Sequence, residues 1–273
     1  MVVREDDLET PLARAFADLI RVTREASVTV PSLAVDAEVD LPPGGGLGCS
    51  AALGVAVARA LDPEAASEVI AERAHVWEAV FHGNPSGIDA AVSALGGCLL
   101  FERGAGPGAP PRIERVKLPG VFHVCVGNSG QASSTRSMVE AVARLRDRRP
   151  ETTQKTFDAI GTLVKNARLA IEAADRKAVG QLLDLNQMLL SGLFVSTPEI
   201  EQMCSAARAV GALGAILTGA GGGGCVVALV ETPEQGAAVL SAWRSDGFDG
   251  FAATFGASEP WRRTPRDVVE ERP

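Results

Sequence analysis

Pro42-Pro43-Gly44-Gly45-Gly46-Leu47-Gly48-Cys49-Ser50-Ala51-Ala52 runs straight into the Ala-rich apolar stretch at 50–61, SAALGVAVARAL. Glycines tolerate positive φ and let backbone approach a ligand closely, so successive amides can face one concave space. The stretch at 50–61 is apolar nearly all round and reads as a buried helix. Its positive N-terminal end would reinforce the loop as an anion cradle. A polyphosphate is the expected guest, with Ser50 at the cap offering its hydroxyl to a phosphate oxygen or Mg²⁺. The alternative is an ordinary glycine turn closed by a serine N-cap. No Lys follows the last glycine, so this is not a Walker loop.

Outward from that loop the periodicity is mixed. Residues 12–24 (LARAFADLIRVTR) space apolar side chains as an amphipathic helix does, and 28–41 alternate as a half-exposed strand does. A second helix is expected at 63–81, strands at 97–101, around 116 and at 121–126, and a Pro/Gly loop at 104–112. Helical pattern then dominates 134–210, with breaks near 150, 174–177 and 198. Strands return at 215–218, 225–230 and 251–255, with a helix at 233–243 between the last two. The residues after 258 have no period. This order gives an α+β fold in two lobes.

At 273 residues the chain is long enough for a sizeable core, and with 4% aromatics and no Tyr that core must be mostly Ala, Val and Leu. A net charge of −8 argues against partners held by phosphate neutralisation, such as nucleic acid, and against an anionic membrane surface. The five cysteines (Cys49, Cys98, Cys125, Cys204, Cys225) are widely spaced with no CxxC, against a disulfide framework or zinc site. Met1 to Glu9 lacks the apolar core of a signal peptide, and no apolar run is long enough to span a membrane. A reducing cytoplasm is the expected location.

Three further stretches carry chemistry. In His82-Gly83-Asn84-Pro85-Ser86-Gly87-Ile88-Asp89, Asp89 follows a tight turn that could hold a carboxylate rigidly, and Glu78 lies on the helix before it. A kinase acting on an alcohol needs a carboxylate by the attacking hydroxyl, and Mg²⁺ takes one or two protein carboxylates. Read plainly, Asp89 is an Asx-type cap and Glu78 a solvated helix residue. Leu217-Thr218-Gly219-Ala220-Gly221-Gly222-Gly223-Gly224-Cys225 has more glycine than a hairpin requires, which fits close passage of backbone past phosphates or past the first loop. Ser133-Ser134-Thr135-Arg136 opens the helical part, where hydroxyls and one Arg could grip a substrate carboxylate or the serines could simply cap the helix.

Taken in order, these stretches resemble the GHMP kinase family, most of all its mevalonate kinase branch. PPGGGLGCSAA is similar to PPGAGLGSSAA, HGNPSGIDAAVSALGG to HGNPSGVDNAVSTWGG, and LTGAGGGGC is the same in both; NSGQASSTRSMVEAV and LLDLNQMLLSGLFVS also match, and the resemblance runs from about residue 12 to 258. It implies phosphoryl transfer from ATP, with Mg²⁺, to the primary hydroxyl of mevalonate. Asp89 would be the catalytic carboxylate, and Ser50 and Glu78 the metal and phosphate ligands. Thr135 and Ser134 would face the substrate. Pro43, Gly44, Gly45, Gly46, Leu47, Gly48, Cys49, Ser50 and Ala51 would hold the nucleotide, supported by Gly219, Ala220, Gly221 and Gly222. The implied fold is a two-lobed α+β structure with a left-handed βαβ crossover. Its N-terminal ATP-binding lobe, 1–130, would be incomplete and of ribosomal protein S5 domain 2 type. The C-terminal lobe, 131–258, would be a ferredoxin-like α/β unit followed by a disordered tail at 259–273.

The sequence departs from the family pattern in three places. Cys49 stands where the family has Ser, and Ser133-Ser134 where many members carry Arg-Asn. The family's opening Lys-rich segment and Gly-Glu-His turn have no counterpart in 1–30, which holds no lysine. Other expectations therefore stay open: a GHMP kinase for a sugar or phosphomevalonate, or a non-catalytic nucleotide-binding relative. A homodimer is an arrangement open to either.

Overall fold

A computed structural model describes residues 9–26, 28–30, 35, 37, 39, 44–83, 85–104, 106, 109–132 and 134–256. The expected strand at 28–41, Pro43, Ser133 and the expected tail at 259–273 lie wholly or largely outside these residues.

The N-terminal part packs four helices: α1 (Pro11–Glu25), α2 (Cys49–Leu61), α3 (Ser67–His82) and α4 (Ile88–Leu95). Their buried faces meet around Leu19, Val55, Ile70 and Trp77. Phe16 meets Trp77 edge-on at 5.0 Å between ring centroids. Gly54 lets α2 lie directly on this indole, since a Cβ there would stand 2.7 Å from Trp77 Cδ1. Helix α3 begins at Ser67 and not at 63 as expected. Residues 62–65 form a turn closed by Ala65 N–H on the Asp62 carbonyl, and Pro63 sits at its start. A hairpin of β1 (Cys98–Glu102) and β2 (Arg112–Val116) follows, and it is the only sheet of this part among the described residues. Arg168, on a later helix, ties the hairpin to the rest of the molecule by donating to Glu114 at 2.7 Å.

The C-terminal part is a four-stranded antiparallel sheet, β3 (Phe122–Asn128), β4 (Gly214–Leu217), β5 (Cys225–Val230) and β6 (Asp249–Phe255), in the order β4-β5-β3-β6. Helices α5 (Thr135–Arg148), α6 (Pro150–Glu172), α7 (Arg176–Gly192) and α8 (Pro198–Ala209) link β3 to β4, and α9 (Pro233–Ser245) links β5 to β6. This is two split βαβ units, the ferredoxin-like topology, with the first crossover swollen to four helices. Strand β3 precedes the expected division at 130/131, yet it pairs with β5 and β6, which follow it. Three of the helices, α1, α8 and α9, begin with a Thr-Pro pair whose threonine hydroxyl accepts an amide of the first turn.

The outer edge of β4 is closed by side chains. Ala215 N–H donates to Asp184 Oδ1 and Leu217 N–H to Gln187 Oε1, each at 2.9 Å. Asp184 and Gln187 lie one turn apart on α7, matching the two-residue repeat of outward amides on the strand. The edge is thereby protected from pairing with another chain. The core is mostly Ala and Val, as the composition requires, with one large indole in each part, Trp77 and Trp243. Among the described residues no helix is long and apolar enough to cross a membrane.

Candidate active site

A cavity opens where the two parts meet, and the glycine loop at 44–48 forms its floor. Gly48 (φ 67°) is the N-cap of α2, and Cys49 and Ser50 are its first two residues. Ser50 is therefore not the cap expected from the sequence, because the left-handed glycine takes that position and starts the helix one residue earlier. The amides of this first turn have no acceptor within the helix and face an anion-sized space.

Asp89 packs against the same glycine. A Cβ on Gly48 would stand 3.4 Å from both Cβ and Oδ1 of Asp89. Asp89 lies in the first turn of α4, whose cap is Gly87 (φ 88°), so the Asx-cap alternative is not realised. Although Asp89 as a whole is exposed, desolvation of its carboxyl against the loop pushes it above the usual aspartate range, with His82 acting against the shift.

Glu78 is not the solvated residue that its helical context suggests. It is 3% exposed, it lines the cavity, and its Oε1 has no hydrogen-bond partner. Burial raises its carboxyl above the ordinary value. The nearby Ser50 hydroxyl and His82 work against that shift, and the charge of Asp89 adds to it. His82 Nε2 is 3.5 Å from Glu78 Oε2. Ser50 Oγ is buried and, like Glu78 Oε1, reaches no partner at full hydrogen-bonding geometry. Two orphaned oxygens on facing helices are the donor set that a hard cation accepts. No group of three His, Cys, Asp or Glu side chains among the described residues could cage a metal. A cation here would depend on oxygens brought by a ligand.

The third glycine stretch reaches the first from the other side. Thr218 Oγ1 donates to the Gly46 carbonyl and Cys225 N–H to the Gly45 carbonyl, both at 3.0 Å. A Cβ on Gly219 would stand 2.6 Å from Gly46 Cα, so the backbones touch and only glycine fits. Thus the excess glycine serves close passage past the first loop. Ala220 and Gly221 line the cavity, whereas Gly219 and Gly222 do not. Gly222 instead donates to the Val195 carbonyl at 2.7 Å. Ala51 is fully buried within α2 and also lies off the cavity.

Ser134, Thr135 and Arg136 complete the wall. Ser134 caps α5 by accepting from Ser137 N–H at 3.3 Å, as its plainer reading anticipated. The Arg136 guanidinium reaches across to the end of α3, 2.8 Å from where a Gly83 Cβ would stand. Sequence reasoning assigned no role to Phe81, His82 or Thr218, though all three line the cavity. His82 opens the stretch that ends at Asp89, Phe81 immediately precedes it, and Thr218 lies inside the third glycine stretch.

An anion cradle, one buried and one partly desolvated carboxylate and a basic side chain, gathered between a helical part and a ferredoxin-like part, form the kind of site that small-molecule kinases use. The model of the GHMP kinases N terminal domain matches residues 12–97 and that of the GHMP kinases C terminal domain matches 167–249. The mevalonate kinase of Thermococcus sibiricus is 35% identical over 239 residues, covering 84% of this chain and 69% of the relative. That of Pyrococcus abyssi is 38% identical over 204 residues, covering 71% of this chain and 58% of the relative. The chain thus spans about three-fifths to two-thirds of the length of such curated relatives. The crystal structure of L. major mevalonate kinase in complex with R-mevalonate superposes with a TM-score of 0.71 at 28% identity, over 78% of this chain and 67% of that one. The chain belongs to the GHMP kinase family, and these relatives and this neighbour are mevalonate kinases.

Proposed function

We propose that this chain carries the phosphoryl-transfer site of a mevalonate kinase, acting on the primary hydroxyl of mevalonate with ATP. The observation that carries this reading is the meeting of three loops at one point: Gly48 lies against Asp89, and Gly46 against Thr218 and Gly219. The amides of 44–51 would receive the phosphates. Ser50 and Glu78, whose orphaned oxygens suit it, would hold Mg²⁺, which when bound would neutralise charge on those phosphates. Asp89 would accept the acceptor hydroxyl's proton or fix its direction. Its raised pKa suits a group that must take up that proton. Ser134, Thr135 and Arg136 would position the acceptor, the guanidinium pairing with its carboxylate. We divide the lobes at residues 117–121, ahead of β3, with ATP held mainly by the N-terminal one.

A second reading, a nucleotide binder without turnover, is favoured by one observation: among the described residues the cavity's basic side chains are His82 and Arg136, with no lysine. The test is an assay of the chain with ATP, Mg²⁺ and a panel of alcohols. Turnover on R-mevalonate is expected. Turnover on galactose but not mevalonate would overturn the substrate, and calorimetric ATP binding without any turnover would favour the second reading.

A further inference from the structure

Thr218 is the only side chain of the third glycine stretch that hydrogen-bonds to the first loop among the described residues, and it does so across 172 positions of sequence. Its Oγ1 donates to the Gly46 carbonyl, next to the bond from Cys225 N–H to the Gly45 carbonyl. A trans peptide places its C=O and its N–H on opposite sides. Holding the Gly45 and Gly46 carbonyls toward β4 and β5 therefore turns the next two amides, Gly46 N–H and Leu47 N–H, to the other side of the loop. Neither amide has an acceptor among the described residues, and both residues line the cavity. The loop cannot fix this orientation alone, because its glycines allow both directions of each peptide plane.

We propose that Thr218 is a positioning residue for a phosphate-bearing ligand: its hydroxyl locks the Gly46 carbonyl outward so that the Leu47 amide, with the Gly46 amide beside it, faces the anion. The ligand class is a nucleoside di- or triphosphate, which rests on the functional reading above. Thr218 touches no reacting atom in this account. It replaces a flexible loop by a preformed cradle, and preformed donors bind without the cost of being ordered.

The test uses the full chain, with ADP as the calorimetric probe and ¹⁵N–¹H spectra to follow the Gly46 and Leu47 amides. Thr218→Val keeps the shape and removes the donor, and Thr218→Ser keeps the donor. Valine should weaken ADP about tenfold and remove the ADP-induced shifts of these two amides, while serine should stay within about twofold of the parent. If valine prevents folding, Thr218→Cys, with its weak donor, takes its place and should fall between the two. Equal ADP affinity and equal amide shifts in parent and valine variant would overturn the positioning role and leave the functional reading intact. A serine variant as weak as the valine variant would overturn it too, showing that packing and not the hydroxyl matters. A parent chain that binds no ADP would sink the functional reading itself, and this inference with it.

Discussion

Two polar clusters in this molecule, each built around a buried side chain, are opposites. On α7, Gln187 is 2% exposed and every arm is used: Oε1 accepts from Leu217 N–H, and Nε2 donates to Ser196 Oγ at 3.0 Å and to Glu201 Oε1 at 2.9 Å. Beside it, Asp184 Oδ1 receives both Ala215 N–H and, at 2.8 Å, Arg208. Between α2, α3 and α4, Glu78 is buried and Ser50 half-buried, each with an unused buried oxygen, and Asp89, exposed at the cavity, has a partly desolvated carboxyl. Desolvation is offset at the first cluster and left standing at the second. A satisfied network holds a fold together. An unsatisfied one that opens on a cavity has stability to gain from a ligand.

The contrast is broken most severely at Asp89. Asp89→Asn keeps the shape and removes the base, so turnover of mevalonate should fall about a thousandfold, roughly 4 kcal/mol of barrier, with KM changed little. Urea unfolding should show no loss of stability, because the charge removed is one whose ionised form the site disfavours. If the variant turns over within tenfold of the parent, Asp89 is not the catalytic carboxylate.

Gln187→Leu is the matching cut in the satisfied cluster and should act only on the fold. It strands the buried Leu217 amide and removes the partner of the half-buried Glu201 Oε1, at a cost of about 3 kcal/mol. By calorimetry the melting temperature should drop on the order of 10 °C. The KM of whatever fraction remains folded should not move. A drop of only 1–2 °C would mean that water replaces the amide and that the edge of β4 was never sealed.

How far each cluster was legible in sequence follows from the same physics. The loop at 44–48 and the helix behind it could be read locally, although by themselves they fit an ordinary glycine turn before a helix as well as an anion cradle. The start of α2 was missed by one residue, since composition does not tell which glycine adopts the left-handed cap. Glu78 was harder: carboxylates on helices are nearly always solvated, and only the packing of α2 and α4 over α3 buries this one. Thr218 was unreadable, because its partner Gly46 is 172 residues away and a threonine before a glycine turn suggests nothing. The roles of Asp184 and Gln187 likewise exist only once α7 lies along β4.

Glu78→Gln gives a smaller change in stability than Gln187→Leu and the sharpest test of the contrast, because stability and activity should move in opposite directions. The parent carboxyl titrates near 4.5 when unfolded and higher when folded. Below about pH 4 it is protonated in both states and costs nothing. As pH rises from 4.5 toward the folded value, the unfolded chain ionises first and the native state loses stability. Above the folded value that loss is complete and constant. Asp89, raised from 3.8 by desolvation, adds a loss of the same sign over a window that starts slightly lower. The glutamine variant, neutral throughout, should match the parent at pH 4 and exceed it by about 1 kcal/mol at pH 7, read as urea midpoint against pH. Saturating Mg²⁺ and ATP should shrink that gap by stabilising the parent more than the variant, since only the parent keeps the carboxylate that a cation would need. Turnover of the variant should be largely lost at every pH. A variant less stable than the parent at pH 7 would mean that the Ser50 and His82 contacts already satisfy Glu78, and the two clusters would then differ in place but not in kind.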